Sequence, residues 1–144
     1  MPYKATGVEQ FKKLCSERGL SVTHQRQVIY DALMGMRDHP SPEAIYEKVR
    51  RQIPSVSLAT VYKNIKTFVD RGILREVSLH HGSTRLETNL DPHHHLVCLR
   101  CKTIVDLDDA DVEPVRLKAQ VPRGFRVHRC SVEVIGLCKD CAAE

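Results

Sequence analysis

The stretch HHHLVCLRC, from His93 to Cys101, decides how the last third of this chain folds, because its two cysteines are separated by two residues. A second pair with the same spacing follows near the C-terminus. This spacing lets both sulfurs of a pair bind one ion, and four thiolates at about 2.3 Å complete a tetrahedral zinc shell. A closed structural Zn²⁺ site, with no open position for a substrate, is therefore predicted at Cys98, Cys101, Cys138 and Cys141.

Disulfides are the alternative use of these cysteines. No charged start followed by an apolar signal region is present, and no apolar run reaches the length of about 18 residues that a membrane span needs. We therefore expect a cytoplasmic protein with no membrane partner, in which zinc is favoured over disulfides. The 36 residues between Cys101 and Cys138 exceed a usual zinc-ribbon loop. The metal is thus predicted to link the two ends of a small subdomain.

Charge is distributed unevenly along the 144 residues. Residues 1–85 carry 14 Lys and Arg against 8 Asp and Glu, whereas residues 86–144 carry 8 against 10. A basic front half favours a polyanionic partner, although a solvated charged surface gives the same counts. The chain is long enough for two small domains if a metal stabilises the second. The helix- and strand-breaking residues around Pro92 predict a first domain at 1–88, a hinge at 89–92 and a second domain at 93–144.

Four amphipathic helices are predicted in the front half, because apolar residues recur there at helical spacing after N-capping residues. The predicted N-caps are Thr6, which forms a capping box with Glu9, then Thr23, Ser41 before Pro42, and Ser57. Predicted ends are Gly19, Pro54 and Gly72. Cys15 is expected to be a buried apolar residue of the first helix.

A β-hairpin is predicted directly after the fourth helix. Ile73, Val77 and Leu79 alternate with polar residues, His81-Gly82 suits a turn, and Thr84–Glu87 suits a returning strand. Helices followed by a hairpin indicate a winged helix-turn-helix within an α+β chain. The same elements also occur in folds with no nucleic-acid role.

The fourth helix has two different faces. Its inner face is predicted to carry Leu58, Val61, Ile65, Phe68 and Val69. Its outer face offers small, hydroxyl, amide and ammonium groups but no carboxylate, which phosphate would repel, and this composition suits a helix in the DNA major groove. The predicted DNA-contacting residues are Thr60, Tyr62, Lys63, Asn64, Lys66 and Thr67, beside Ala59.

In the back half, strands are predicted around Leu96–Cys98 and Ile104–Val105, and a short helix from Asp109 to Ala119. Phe125–Val127 and Val132–Val134 are predicted as further strand segments, with a break near Arg129 and Cys130. His80 and His81 are expected on the surface of the hairpin, and His24 in the first turn of its helix.

Several strings of this sequence occur in an order typical of one family. They are Thr23-His24-Gln25-Arg26, His39-Pro40, Val56-Ser57-Leu58-Ala59-Thr60-Val61-Tyr62, and His93-His94-His95 before Cys98-Leu99-Arg100-Cys101. From about Val8 to Cys141 the chain resembles the ferric uptake regulator family of metal-dependent repressors. The resemblance implies a homodimer in which an N-terminal winged helix binds double-stranded DNA and a C-terminal α/β domain dimerises. It also implies DNA contacts by Tyr62 and Lys63 and a palindromic operator, read by helices about 34 Å apart.

A second metal site is expected around His93 and His95, whose imidazoles share one face of a strand while His94 points away. Imidazoles with carboxylates suit iron or manganese. The resemblance supplies the remaining ligands, His39, Glu87 and Asp106. It implies that regulatory Fe²⁺ or Mn²⁺, with Zn²⁺ possible in vitro, links both domains and sets the angle that DNA binding requires.

Simpler roles exist for the same residues. An isolated histidine run is more often a solvated loop, and His39 before Pro40 suits a turn. Asp106 suits a charge at the start of a helix, and Glu87 suits the surface of the wing. Within the family resemblance, the ligand interpretation is favoured.

The residues at the expected metal site give mixed indications about the subtype of repressor. Asp106 resembles the family's peroxide sensors, in which bound ferrous iron reacts with peroxide and oxidises histidines at the positions of His39 and His93. Glu87 stands where those sensors commonly have aspartate, and Cys130 where many members have a metal-binding histidine. We expect a peroxide-sensing repressor; an iron-uptake, manganese- or zinc-responsive regulator is the alternative.

Other classes are less compatible with the sequence. A zinc hydrolase or deaminase needs a zinc with an open position and a nearby base, whereas the predicted site is all-thiolate and no His-x-Glu precedes it. A zinc-stabilised nucleic-acid interaction module that binds RNA is disfavoured because only 5% of the residues are aromatic. We therefore expect a regulator and not an enzyme.

Overall fold

The computed structural model describes residues 7–36, 39–78, 84–118 and 120–143. The chain divides into two compact units between Leu90 and Asp91. This boundary falls inside the segment 89–92, whose action as a hinge stays a prediction. In the described residues, no helix combines the length and the apolar character that crossing a bilayer requires.

The first unit contains four helices and a two-stranded hairpin, as predicted. The helices are α1 Gly7–Glu17, α2 His24–Gly35, α3 Pro42–Val49 and α4 Leu58–Asp70. The hydroxyls of Thr23, Ser41 and Ser57 accept the backbone N–H three residues on, which confirms the N-caps of α2, α3 and α4. The predicted cap at Thr6 lies outside the described residues.

Glycines end the first and fourth helices, as the sequence indicates. Gly19 and Gly72 have φ values of 65° and 69°, a left-handed conformation that costs glycine little. The predicted end of α3 at Pro54 was wrong, because the helix ends at Val49. The Val49 carbonyl accepts the N–H groups of both Gln52 and Ile53, so the chain tightens into a turn before the proline.

The hairpin pairs β1 Arg75–Ser78 with β2 Thr84–Glu87 in antiparallel register, with Arg75 opposite Glu87. The Leu86 N–H donates to the Pro40 carbonyl at 2.9 Å and so connects the hairpin to the residues before α3. The expected turn at His81-Gly82 and the expected surface position of His80 lie outside the described residues, as does Leu79. The described strands complete a winged-helix arrangement.

One apolar core holds the first unit together. Phe11 of α1 lies 4.8 Å from the Tyr30 ring and 6.1 Å from the Phe68 ring, between centroids. Cys15 is fully buried, as predicted. Leu58 was predicted to face inward, but this first residue of α4 is 37% exposed and the buried face of the helix begins at Val61.

The second unit contains a three-stranded sheet in the order β4-β3-β5. Its strands are β3 His93–Cys98, β4 Ile104–Asp108 and β5 Glu133–Gly136, and the four-residue helix α5 Lys139–Ala142 follows. The central strand β3 is antiparallel to β4 and parallel to β5. The histidine run is therefore a buried central strand and not a solvated loop.

The predicted helix from Asp109 to Ala119 was wrong. Only Asp109–Asp111 forms a single 3₁₀ turn, and residues 112–118 are not helical. Pro114 has no N–H and keeps Glu113 out of the helical region. Val115 and Leu117 are 42% and 59% exposed, so their burial does not stabilise a short helix here. Phe125–Val127 is likewise not a strand, and Phe125 is 65% exposed.

Candidate metal centres and nucleic-acid interface

The four cysteines predicted to bind zinc lie together in the second unit, with their sulfurs within 4.8 Å of one another. Cys98 ends β3, and Cys101 lies in the turn that follows, which the Lys102 N–H closes by donating to the Cys98 carbonyl at 3.1 Å, with Lys102 at a φ of 65°. Cys138 and Cys141 lie at the start of α5 and within it. The Cys101 and Cys138 sulfurs are 3.7 Å apart, much longer than a disulfide bond of about 2.05 Å.

Hydrogen bonds favour the thiolate form that zinc requires at Cys98 and Cys101, whereas a hydrogen bond with Cys138 raises the pKa of Cys141 to about 12. The backbone N–H of Cys138 donates to the Cys98 sulfur at 3.4 Å and lowers the pKa of Cys98 to about 6. A hydrogen bond with the Thr103 hydroxyl lowers the pKa of Cys101. Four thiols without a carboxylate suit Zn²⁺ better than a hard cation. The residues therefore fit the predicted structural zinc site.

A second cluster lies in the same unit on strands β3 and β4. The Nε2 atoms of His93 and His95 are each 3.6 Å from Oδ1 of Asp106, and their ring centroids are 4.7 Å apart. The two imidazoles are buried, whereas the Asp106 side chain is 40% exposed. Two nitrogens and one carboxylate thus converge at a point that solvent can reach.

Hydrogen bonding sets the tautomer of His93. Its Nδ1 lies 2.7 Å from the Asp91 carbonyl oxygen, which can only accept a hydrogen bond. Nδ1 must therefore carry a proton, so Nε2, on the side of Asp106, is the nitrogen that a metal ion could bind in the neutral ring. This is the form in which a histidine binds a metal ion.

The other two expected regulatory ligands, His39 and Glu87, form a buried pair in the first unit. His39 Nε2 lies 3.5 Å from Oε2 of Glu87, whose side chain is only 3% exposed. Arg75 places Nη1 3.6 Å from the other oxygen, Oε1. The Arg85 guanidinium donates to the His39 carbonyl oxygen at 3.3 Å. These contacts exclude a wing-surface position for Glu87.

His94 points away from this cluster, as predicted, and has a structural role that the sequence did not reveal. Its Nε2 lies 2.9 Å from Oδ1 of Asp109, and its Nδ1 accepts the Val132 N–H at 2.8 Å. The ring therefore links the 3₁₀ turn to the residue before β5. Within the described ranges of the chain, no cluster of metal-ligating groups includes His94, His128 or Cys130.

The exposed surface of α4 is basic. Tyr62, Lys63 and Lys66 are exposed, while Thr60 and Thr67 are half-buried. The Thr60 hydroxyl accepts the Ser57 hydroxyl, and the Thr67 hydroxyl donates to the Lys63 carbonyl. No carboxylate occurs on α4 before its last residue, Asp70.

Asn64 does not belong to this surface, so its predicted exposure was wrong. It is 9% exposed, its Oδ1 accepts Nε of Arg26 at 3.2 Å, and its Nδ2 donates to the Thr60 carbonyl. Asn64 follows Val61 by three residues and precedes Phe68 by four, which places it on the buried face of the helix. It connects α4 to α2.

Tyr62 has a partner that the sequence did not indicate. Its hydroxyl donates to the carboxylate of Glu43 in the first turn of α3. This hydrogen bond raises the pKa of Tyr62 and lowers that of Glu43. The two residues are 19 positions apart, so no local pattern relates them.

Comparison with known proteins gives the family. The ferric uptake regulator family model matches residues 17–135. The chain belongs to the ferric uptake regulator family. This chain is 34% identical to the peroxide-responsive repressor PerR of Staphylococcus epidermidis over 126 residues. The match covers 88% of this chain and 84% of that PerR.

Two solved structures of the family have the same fold. The ferric uptake regulator of Francisella tularensis with iron has a TM-score of 0.72 at 25% identity and covers 86% of this chain and 96% of its own. PerR from Streptococcus pyogenes has a TM-score of 0.53 at 30% identity, and the match covers 95% of this chain and 94% of the PerR chain. The predicted α+β fold is therefore confirmed. Members of the ferric uptake regulator family are transcription regulators and not enzymes.

Proposed function

We propose that this protein is a cytoplasmic, homodimeric repressor whose binding to palindromic DNA is controlled by regulatory Fe²⁺ or Mn²⁺ and lost on reaction with peroxide. The proposed ligands are His39, Glu87, His93, His95 and Asp106. The observation that carries this proposal is the cluster on β3 and β4, where two imidazole nitrogens lie 3.6 Å from one carboxylate oxygen.

The donor types indicate the metal. Imidazole and carboxylate ligands without sulfur suit iron and manganese better than a thiolate-loving ion. Bound ferrous iron would supply the one-electron chemistry that activates peroxide. The exposed edge of Asp106 gives a small oxidant access, and His39 and His93 are the proposed sites of oxidation. Similarity to PerR of S. epidermidis supports this subtype.

The first unit supplies the proposed DNA contact. Lys63 and Lys66 on α4 offer two ammonium groups to DNA, and the exposed Tyr62 offers a hydroxyl once it is released from Glu43. The hydrogen bond from Arg26 to Asn64 holds α4 against α2, and the cap at Ser57 fixes its start. The exposed residues and not Asn64 are the proposed contacts, with Thr60 and Thr67 at the edge.

Control of DNA binding follows from where the ligands come from in the chain. His39 and Glu87 belong to the first unit, and the other three belong to the second. An ion that binds both sets favours one arrangement of the units by its difference in affinity. Loss or oxidation of ligands would remove that preference. The structural zinc keeps the second unit folded throughout.

The test is DNA binding by zinc-containing protein from which the regulatory metal has been removed. The protein is titrated with Fe²⁺, Mn²⁺ and Zn²⁺ in turn, before and after dilute peroxide. We expect metal-dependent binding, with loss after peroxide only in the iron form. Mass spectrometry should then show a gain of one oxygen atom on a peptide that contains His39 or His93.

A second candidate function is metal sensing without peroxide chemistry. Glu87 favours it, because the family's peroxide sensors commonly have aspartate at that position, and the iron-containing regulator of F. tularensis is a structural relative. Iron-loaded protein that shows no oxidised histidine under peroxide would favour this second function.

A further inference from the structure

The two carboxylate oxygens of Glu87 have different surroundings. Oε2 lies 3.5 Å from His39 Nε2, whereas Oε1 lies 3.6 Å from Nη1 of Arg75. The Glu87 side chain is almost completely buried, so solvent and salt screen this ion pair little. One oxygen therefore faces an imidazole, and the other faces a permanent positive charge.

Arg75 is held in place by more than its contact with Glu87. It lies directly opposite Glu87 in the register of the hairpin. Its Nη2 donates to the Leu90 carbonyl oxygen at 2.8 Å. A planar guanidinium can hold two acceptors at once, which a single ammonium group cannot reproduce with the same geometry. The charge beside Oε1 is thus fixed from two directions.

We propose that Arg75 is a positioning residue that restricts Glu87 to one metal-donor oxygen, Oε2, and thereby lowers the affinity of the regulatory site for divalent cations. The proposal rests on the proposed function, because it requires Glu87 to be a ligand. An oxygen that is paired with a guanidinium is less available as a donor, and a fixed positive charge repels a divalent cation.

This restriction would suit a sensor. A glutamate that binds through one oxygen uses one coordination position instead of two. Exchange of the metal and approach of an oxidant both need such a position. Arg75 would thereby allow glutamate to serve as a metal ligand at a position where the family's peroxide sensors more commonly have the shorter aspartate.

A purely structural ion pair makes the opposite prediction. If Arg75 only held Glu87 in place, its loss would disorder the ligand and weaken metal binding. If Arg75 competes with the metal for the carboxylate, its loss strengthens binding. The direction of the change therefore distinguishes the two roles.

The test uses zinc-containing full-length protein with Mn²⁺ as the probe, and free Mn²⁺ is measured by electron paramagnetic resonance at fixed pH and salt. We expect Arg75→Gln to bind Mn²⁺ more tightly than wild type by about tenfold or more, since a unit charge beside a divalent cation is removed. Arg50→Gln is the matched control, because Arg50 pairs with Glu47 at 3.4 Å in the same unit but on the exposed surface of α3. Its affinity should stay within about twofold of wild type.

Unchanged or weaker binding by folded Arg75→Gln would overturn the proposal. Thermal melts without Mn²⁺ show whether the variant folds. If Arg75→Gln does not fold, Arg75→Lys is tested instead. It keeps the positive charge but loses the planar guanidinium that holds two acceptors, and it should bind Mn²⁺ more tightly than wild type by a smaller factor. Unchanged or weaker binding by that variant would overturn the proposal equally.

A double substitution locates the effect. Glu87→Gln alone should weaken Mn²⁺ binding. In that background Arg75→Gln should gain less than in wild type, because it relieves only the repulsion between guanidinium and cation and no longer releases a carboxylate oxygen. An equal gain in both backgrounds would overturn the assignment of Arg75 to Glu87. Wild type that binds no Mn²⁺, or Glu87→Gln that binds it like wild type, would instead defeat the proposed function itself.

Discussion

Three consecutive histidines on β3 differ in what their hydrogen bonds leave available to a metal. His93 donates from Nδ1 to a carbonyl and presents Nε2 on the side of Asp106, whereas His94 uses both nitrogens in contacts with Asp109 and Val132. Strand alternation predicts which rings share a face. The tautomers depend on carbonyl and amide groups whose positions only the fold determines, so the structural role of His94 could not be predicted.

Asp106→Glu tests the residue that both β3 imidazoles approach. We expect metal-dependent DNA binding to persist, because a carboxylate remains. Histidine oxidation by peroxide should slow by about tenfold to hundredfold, since a ligand displaced by about 1 Å disturbs the reacting geometry. Mass spectrometry of iron-loaded protein measures the oxidation rate. An unchanged rate would contradict the assigned role of Asp106.

Asn64→Ala tests the buried contact between α4 and α2. Removing Oδ1 leaves the Arg26 Nε group without its acceptor, so the free energy of unfolding should fall by about 1–3 kcal/mol. Thr67→Ala is the control, because its half-buried hydroxyl bonds only within its own helix, and a loss of about 0.5 kcal/mol or less is expected. Urea denaturation compares the two, and equal losses would argue against a structural role for Asn64.

At the scale of helices and strands, the elements that could be predicted are those with local causes. Thr23, Ser41 and Ser57 cap the helices that follow them because a hydroxyl needs only the N–H three residues on. The helix predicted after Asp109 was wrong because its apolar residues suggested a helical face, whereas Pro114 and the exposure of Val115 and Leu117 act against one.

Lys63→Ala tests α4 as the DNA-contacting helix. Because a phosphate contact carries no sequence information, binding should weaken for specific and non-specific DNA alike, and the slope of log affinity against log salt should fall by about one. Fluorescence anisotropy at several salt concentrations measures both quantities. Lys13→Ala, an exposed lysine on α1, is the control. If the two variants behave alike, α4 is not the contact.

At the scale of the whole molecule, the chain is two units with separate means of stabilisation. The first unit has a continuous apolar core, while the sheet of the second leaves Leu96, Val105 and Ile135 exposed. The cysteine spacing predicted zinc from sequence because both pairs are local. The proposed regulatory ligands come from distant segments, so only the family resemblance could suggest that His39 acts together with residues of β3.

Cys138→Ser tests the dependence of the second unit on zinc. We expect loss of about one zinc ion per chain and unfolding of that unit, because zinc binding supplies much of its folding free energy. The first unit should stay folded on its own core. Zinc analysis, circular dichroism and sedimentation report these changes. Cys130→Ser, an exposed cysteine outside the cluster, should keep its zinc, and equal loss from both variants would contradict the assignment.

Strand β3 carries His93 and His95 at one end and Cys98 at the other. Cys98, the first of the zinc thiols, follows His95 by only three positions, about 10 Å of extended backbone. Loss of the structural zinc should consequently disturb the strand that carries the proposed iron ligands. In a cell deprived of zinc, newly made protein would fail to respond to iron even where iron is abundant.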